Sequence, residues 1–512
     1  MTGQGAPQPA KMSRLTSLAA VGALAVATLA GCTGGDPAAS ASTTGTATAP
    51  GGPTPTTGIY SPELGDVDAV HTMLAQTIGY SSLDHSPDEG AWNYPLEAEG
   101  FEAIAEAGFT AVRLPVRFSA HQQSVAPYTI DEAFLERVDW AVEQALSNGL
   151  AVIIDNHHWG IEGGADFDSI FTDPASQKDR LLALWDQVAT RYADRPAGVV
   201  FEMLNEPHDK LDAVWNEYLA DTLAVIRESN PDRAVIVGPG SYNSAFALWS
   251  LELPDDENLI VTFHDYVPFD FTHQGATWVG EVPPVGVVWP QPTVRMNTLW
   301  ADWSWGMDRT LTADGLEVQA NQDWAGVFLH SDQGVAGATA IEITLDQRTE
   351  LWIDCRVGEE GAQHTAHVTA EADTPLTVSV ASCGLASPTL KEIRIMVGEH
   401  PTAHFTVTQV RILSAADPVS IFVSAEDEML EPLEIAAQWS RANGDVPMFL
   451  GEFGASHLGD QASRDRWIRA VRGAAESRGI AWSYWDFQGT WGFWTPSGGV
   501  TAPWVRDAIM GR

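Results

Sequence analysis

The sequence predicts an α/β fold: a (β/α)8 TIM barrel with an all-β, jelly-roll-like sandwich inserted between barrel strands 6 and 7. Short apolar runs alternate with amphipathic helical patterns eight times from Gln76 onward, and such alternation is typical of a closed parallel barrel. About 180 residues separate the sixth and seventh runs, far more than a loop and a helix require. Within that interval apolar residues recur at every second position, which indicates antiparallel strands.

Each barrel strand is predicted from a short apolar run bounded by turn residues. The predicted strands are 76–79, 110–114, 151–155, 199–204, 234–237, 259–263, 448–451 and 481–485. The helices between them are predicted from amphipathic patterns at 95–107, 131–148, 177–192, 215–229, 432–443 and 463–478. In the insert, alternation at Ile341, Ile343 and Leu345, and again at Ile393, Ile395 and Val397, predicts strands with one buried face.

The N-terminus reads as an export signal. Lys11 and Arg14 precede an apolar run that ends at Cys32, which is too short for a comfortable membrane span. Its last residues resemble a bacterial lipobox, so we expect residues 1–32 to be a lipoprotein signal peptide and Cys32 to carry the lipid. An ordinary secretory signal is the alternative. Residues 33–60 are rich in Thr, Ser, Pro and Gly, and we expect a disordered linker there.

The remaining sequence is divided between a catalytic domain, 61–304 and 418–512, and the insert, 305–417. Lys and Arg number 27 against 68 Asp and Glu, a formal net charge of −41. Such a surface repels phosphate backbones, so we expect no nucleic-acid partner and a neutral ligand instead. Cys355 and Cys383 are expected to form a disulfide, with two buried thiols as the alternative. No Cys/His cluster has the spacing of a structural zinc site, and we expect neither metal nor cofactor.

Polar side chains gather where the predicted strands end. GVVFEMLNEP (198–207) reads as a buried strand that carries Glu206 to a helix start, and PMFLGEFG (447–454) repeats the design around Glu452. Two carboxylates at strand ends are the minimum equipment for cleaving a glycosidic bond. Other strand ends supply Arg113, His157, His158, Asn205, His264, Tyr266 and Trp485.

Six motifs follow one another in a recognisable order: VRLPV, DNHHW, FEMLNEP, FHDYVPF, FLGEFG and SYWDF. Together they resemble glycoside hydrolase family 5, the retaining cellulase and mannanase family, over residues 75–300 and 425–510. The resemblance implies that Glu206 is the acid/base and Glu452 the nucleophile. It further implies that Arg113, Asn205, Tyr266 and His264 support them, and that His157, His158 and Trp485 bind sugar. Trp278, in the loop after the sixth strand, is expected to line a subsite.

The expected function is therefore retaining hydrolysis of a β-linked glucan, endo-acting on β-1,4 bonds, by an exported monomer that meets the membrane only through a lipid on Cys32. A β-mannanase or an exo-β-1,3-glucanase is the alternative on the same barrel, and a catalytically silent glycan-binding lipoprotein is the alternative of another class. The insert resembles carbohydrate-binding modules in pattern. Trp324 and Trp352 are its candidate sugar-stacking residues, although a sandwich that only roofs the cleft would also fit.

Overall fold

The computed structural model describes residues 62–85, 88–90, 94–297, 299–356, 365–383, 389–414, 418–495 and 498–512. The predicted signal peptide, Cys32 and the whole of the predicted linker lie outside the described residues. Among the described residues, no helix combines the length and apolarity that a membrane crossing requires.

Eight parallel strands close into a barrel, which confirms the predicted fold class. Every residue of seven of the eight strands is buried, because barrel strands are covered by helices outside and by layered side chains inside. In barrel order the strands are β1 (Gln76–Gly79), β2 (Ala111–Val116), β3 (Ala151–Asn156), β4 (Val199–Glu202), β5 (Val235–Val237), β6 (Leu259–His264), β20 (Met448–Phe453) and β21 (Ala481–Tyr484).

Helices surround the barrel, and several begin at a side-chain cap. Asp131 accepts a hydrogen bond from the Phe134 amide at the start of α3, and Ser424 and Asp460 do the same for α9 and α10. The helices are α1 (Val67–Met73), α2 (Ala98–Ala107), α3 (Glu132–Ser147), α4 (Ser169–Thr172), α5 (Pro174–Arg191), α6 (Trp215–Ser229), α7 (Gly240–Asn243), α8 (Phe269–Thr272), α9 (Ala425–Ala442), α10 (Gln461–Ser477) and α11 (Pro503–Ile509).

Two antiparallel sheets occupy the interval between β6 and β20, as the period-two pattern predicts. One has the order β15-β12-β17-β10-β9, with β18 beside β17, and the other has the order β14-β13-β16-β11-β8. Their inward side chains form one shared apolar core, so the two sheets make a sandwich. The strands are β8 (Ala301–Asp302), β9 (Met307–Leu311), β10 (Leu316–Ala320), β11 (Gly326–Ala336), β12 (Ala338–Leu345), β13 (Thr349–Arg356), β14 (Thr365–Ala370), β15 (Leu376–Ser379), β16 (Thr389–Met396), β17 (His404–Ser414) and β18 (Val419–Ser420).

A small ladder marks the joint between barrel and insert. The strand β7 (Arg295–Met296) enters the insert and pairs antiparallel with β19 (Phe422–Val423), which leaves it. A second two-stranded ladder, β22 (Trp494–Thr495) with β23 (Gly499–Val500), follows the last barrel strand. Within the sandwich, Cys355 is buried and disulfide-bonded. The side chain of Cys383 lies outside the described residues, so the pairing of these two cysteines stays a prediction.

Two local predictions are wrong. The helix expected to begin at Pro432 begins at Ala425, with Pro432 inside it, because the Ser424 cap and three acidic residues in the first turn fix an earlier start. Glu206 was expected at a helix start. Instead β4 ends at Glu202, residues 203–208 are irregular, and α6 begins only at Trp215.

Candidate active site

One buried arginine organises the carboxyl ends of the barrel strands. Arg113, on β2, donates from Nε and Nη2 to both carboxylate oxygens of Glu202, at 2.7 and 2.8 Å. Its Nη2 also lies 3.0 Å from Asp155 Oδ2, and its Nη1 donates to Glu452 Oε1 at 2.6 Å. Burial works against a charged guanidinium, but the three carboxylates outweigh burial and raise the pKa of Arg113. The arginine is thus a fixed cation beneath the cleft.

Glu452 is the ionised carboxylate of the site. Its Oε1 accepts from Arg113 and its Oε2 accepts from the Tyr266 hydroxyl at 2.7 Å. Burial alone would raise the pKa of Glu452, but nearby His264, Arg113 and His157, together with the Tyr266 hydrogen bond, lower that pKa to about 2. A carboxylate held this way is ionised at neutral pH.

A break in strand register aims Glu452 at its partners. The pairing of β20 with β6 shifts between Leu450 and Glu452, so Gly451 is an extra residue in the ladder. A Cβ on Gly451 would lie 2.4 Å from Thr262 Oγ1 and 3.0 Å from His264 Nε2. Only glycine therefore lets His264 come this close, which explains the glycine in FLGEFG.

Glu206 stands opposite Glu452. Its Oε1 lies 2.8 Å from His264 Nδ1, and an oxygen of each glutamate and a nitrogen of His264 all lie within 4.8 Å of one another. The backbone of Glu206 has φ of +48°, in the left-handed region. A non-glycine residue held there costs about 1–3 kcal/mol, and such strain clusters at functional sites.

Asn205 is oriented by the same arginine. Its Oδ1 accepts from Arg113 Nη2 at 2.8 Å. Because Arg113 also donates to Glu452, one guanidinium fixes the amide of Asn205 and the carboxylate of Glu452 side by side.

The side chains of the two histidines after β3 contact different partners. His157 donates from Nδ1 to Asp155 Oδ2 at 2.6 Å, and its ring is stacked on Trp485, with the centroids 5.2 Å apart and the planes 3° apart. His158 packs edge-on against His157 and lies 3.9 Å from Asp84 Oδ2. Both histidines and Trp485 therefore form one contiguous cluster.

Trp278 lies on the loop after β6, where 43 % of it is exposed. The same loop brings His273 onto the ring of Phe269 and edge-on to Tyr266 and Trp491. Trp278 is thus an outlying member of the predicted set, whereas His273 and Trp491 pack directly against a residue that holds Glu452.

Two groups of side chains in the described part of the chain have the spacing of metal ligands. The first is Glu206, His264 and Glu452, and the second is Asp84, His157 and His158. In each group the ligand atoms lie within 4.8 Å of one another. The first group consists of predicted site residues, and the second adds Asp84, 3.9 Å from His158, to two of them.

Sequence reasoning missed the acids that surround Arg113. Asp155 and Glu202 are fully buried, and neither was among the predicted site residues although both stand in the quoted motifs. A charged residue inside an otherwise apolar strand is the signal that identifies them, because such a charge must be paired. Asp84 and Asp486 are also buried, and Asp486 Oδ2 accepts from the Ser81 hydroxyl at 2.5 Å. Neither lies inside an apolar strand, so the sequence carried no such signal for them.

Comparison with known proteins connects this geometry to a family. Residues 71–314 match the model for cellulase, glycosyl hydrolase family 5. Endoglucanase H of Acetivibrio thermocellus is 37 % identical over 195 residues, 38 % of this chain and 21 % of that protein. Cellodextrinase A of Ruminococcus flavefaciens is 34 % identical over 195 residues, 37 % of this chain and 56 % of that protein. The chain thus spans from about a fifth to just over half of these relatives' length.

Solved structures agree over a larger share of the chain. Cel5A of Thermotoga maritima in complex with cellobiose superposes with a TM-score of 0.58 and 26 % identity, covering 87 % of this chain and all of that one. The family match overlaps six of the eight barrel strands and the residues from Arg113 to Tyr266. Residues 71–314 of this chain, which carry six of the eight barrel strands, are therefore similar to glycosyl hydrolase family 5, the cellulase family.

Proposed function

We propose that this protein is a retaining glycoside hydrolase that cuts internal β-1,4 bonds of a glucan. The approach of Glu206 and Glu452, whose oxygens lie within 4.8 Å, carries the proposal. Retaining pairs stand about 5–5.5 Å apart, whereas inverting pairs stand about 6.5–9.5 Å apart to admit a water. A pair this close leaves no room for that water, so one carboxylate must attack the sugar itself.

The different surroundings of the two glutamates assign their roles. Glu452 is held ionised by Arg113 and Tyr266 and is the nucleophile, which bonds to the anomeric carbon as the glycosidic bond breaks. Glu206, held by His264, gives its proton to the leaving oxygen. It then takes a proton from the water that attacks the anomeric carbon, and the glycosyl–Glu452 bond breaks with net retention. The donor of Asn205 meets the sugar 2-hydroxyl as positive charge develops on the ring.

The substrate class rests on the relatives. Their names describe endoglucanases and a cellodextrinase, and one related structure holds cellobiose. The stacked His157 and Trp485 rings offer the flat aromatic surface that the C–H face of a glucose unit prefers. A related structure also holds mannotriose, so mannan belongs in any substrate panel.

The test is product analysis with stereochemistry. The purified chain is incubated with carboxymethyl-cellulose, mixed-linkage β-glucan, laminarin and mannan, and the products are identified by mass and linkage. Proton NMR during the first turnovers should show the β-anomer of the new reducing end. The α-anomer as first product would refute retention, and no product from any β-1,4-glucan would refute the substrate class.

A Tyr266→Phe variant tests how Glu452 is kept ionised. Loss of a hydrogen bond to a charged group should lower kcat about 10- to 100-fold. The pKa of Glu452 should rise, because the Tyr266 hydrogen bond helps to lower it, so the acid limb of the kcat/KM profile should move to higher pH. Tyr218→Phe, on outer helix α6, is the control. An acid limb that stays in place would contradict this role of Tyr266.

We also propose that the chain is an exported lipoprotein monomer, anchored to the outer face of the membrane through Cys32, and that the insert is a carbohydrate-binding-module-like domain. The apolar run that ends at Cys32 motivates the anchor. In a host that processes lipoproteins, fatty-acid labelling should mark the protein and not its Cys32→Ala variant, which should leave the membrane fraction. Equal labelling of both would refute the anchor.

A further inference from the structure

Four tryptophans lie on one outer face of the insert: Trp303, Trp305, Trp324 and Trp352, named here the tryptophan face. Residues directly opposite one another on antiparallel strands share a face of the sheet. Register places Trp352 of β13 opposite Met396 of β16, Met396 opposite Gly326 of β11, and Gly326 opposite Trp305. The alternate residues Val327, Ile353 and Ile395 point into the sandwich core. The tryptophan row therefore lies on the outside.

The rings are held in place by their neighbours. Trp352 is stacked on His367 with centroids 4.2 Å apart, and Trp303 is stacked on His330 at 3.8 Å. A Cβ at Gly398 would lie 2.3 Å from the Trp352 ring, and one at Gly326 would lie 2.7 Å from the Trp305 ring. These glycines make room for the indoles. Rings that are already fixed lose little entropy when a ligand stacks on them.

Two of the four rings are open to solvent. Trp303 is 51 % exposed and Trp324 is 44 % exposed. The Trp324 ring packs edge-on against the Trp352 ring, at 60° with centroids 5.4 Å apart, so the exposed ring adjoins the fixed one. From Trp352 on β13 to Trp305, which is bridged to Gly326 of β11, the row crosses three strand spacings, about 14 Å. A surface of this length fits several units of an extended polymer.

Charged groups, one of them buried, lie in the next row of the same face. Asp354 and Arg394 are opposite each other on β13 and β16, and Asp354 is only 3 % exposed. Within the part of the chain that the structure describes, Asp354 Oδ1 and Arg394 Nε have no hydrogen-bond partner. The same side chains are held by ion pairs, because Asp354 Oδ2 accepts from Arg356 and Arg394 Nη2 donates to Glu392. The row therefore places fixed charged acceptors and donors beside the rings.

We infer that the tryptophan face binds a β-glucan chain. Aromatic rings beside a paired acceptor and donor match a pyranose, which has apolar C–H faces and a rim of hydroxyls. The chain's net charge of −41 disfavours anionic polymers, so the ligand is neutral. The choice of glucan among neutral glycans rests on the proposed function of the barrel, since both sites on one chain then engage one polymer.

The test measures binding of the full chain to swollen cellulose and to soluble mixed-linkage β-glucan, in a Glu452→Gln background that leaves the polymer intact. The Trp303→Ala/Trp324→Asn double variant removes the two exposed rings; Asn suits position 324, where φ is +56°. The dissociation constant should rise about tenfold or more, as for loss of two aromatic contacts. Arg411→Ala, on the outer face of the other sheet, is the matched control and should bind as the parent does.

Equal binding by the double variant and the parent would overturn the inference. So would an Arg411→Ala variant whose affinity falls as much as that of the double variant. If the double variant loses its thermal unfolding transition, Trp324→Asn alone decides by the same criterion. Hydrolysis of soluble cello-oligosaccharides by the unmodified chain is followed separately. If the unmodified chain hydrolyses them but the tryptophan substitutions leave binding unchanged, only this binding site is refuted. If the unmodified chain does not hydrolyse them, the function proposed for the barrel is refuted.

Discussion

A Glu452→Gln variant should fold normally and lose turnover by at least about 10⁴-fold, the scale on which loss of a nucleophile acts. Glutamine has the shape of glutamate but carries no charge, so it cannot attack the anomeric carbon. Arg113 keeps Asp155 and Glu202 as partners, and its charge is therefore not left unpaired in the core. Initial rates on a soluble cello-oligosaccharide, with thermal unfolding as the check of folding, measure the effect.

The control for this variant is Glu426→Gln, an exposed glutamate in the first turn of α9. Its activity should equal that of the parent. A folded Glu452→Gln protein that keeps more than a trace of activity would remove Glu452 as the nucleophile. A trapped glycosyl-enzyme from a 2-fluoro sugar, located on Glu452 by peptide mass spectrometry, would identify the attacking oxygen independently.

A Glu206→Ala variant should lose about 10²–10⁴-fold of its activity on native glucan, the usual contribution of a general acid/base. Aryl cellobiosides with a good leaving group need no proton, so their first step should survive and the glycosyl-enzyme should accumulate. Azide, which needs no general base, should then restore turnover and yield a β-glycosyl azide. The reason is geometric: azide fills the space left by Glu206 on the face opposite Glu452.

The stereochemistry of the azide product separates the two roles. In Glu452→Ala the azide would replace the nucleophile and give the α product instead. Glu102→Ala, an exposed position on α2, should respond to azide in neither way. An α-glycosyl azide from Glu206→Ala, or no rescue at all, would mean that Glu206 is not the acid/base.

Much of the fold could be predicted because its signals are local. A barrel strand needs a short run of apolar residues, and all eight runs became strands of the barrel with ends displaced by a few residues at most. Helix starts were less predictable. Pro432 suggested a beginning, yet the cap at Ser424 decides it, because a satisfied backbone amide outweighs the preference of proline for a first turn.

The candidate site was predictable in its membership rather than in its arrangement. The strand-end rule selected six residues that the structure brings together: Glu206, Glu452, Arg113, Asn205, His264 and Tyr266. Hydrogen bonds join four of them through Arg113 and Glu452, and His264, which is bonded to Glu206, lies 3.7 Å from Glu452. Asp155 and Glu202 were missed: a charge inside an apolar strand indicates that a partner exists, but only the tertiary structure shows that the partner is Arg113, on another strand.

By itself the sequence determined the barrel, the inserted sandwich and the types of residue at the strand ends, since periodicity and strand ends are properties of neighbouring residues. Only the tertiary structure decided the closeness of the glutamates, the lowered pKa of Glu452 and the outward placing of the tryptophans. Each of these depends on residues far apart in the chain: Arg113 and Glu452 are 339 positions apart, yet Nη1 and Oε1 lie 2.6 Å from each other. Distances and charges at that range arise only when the barrel closes.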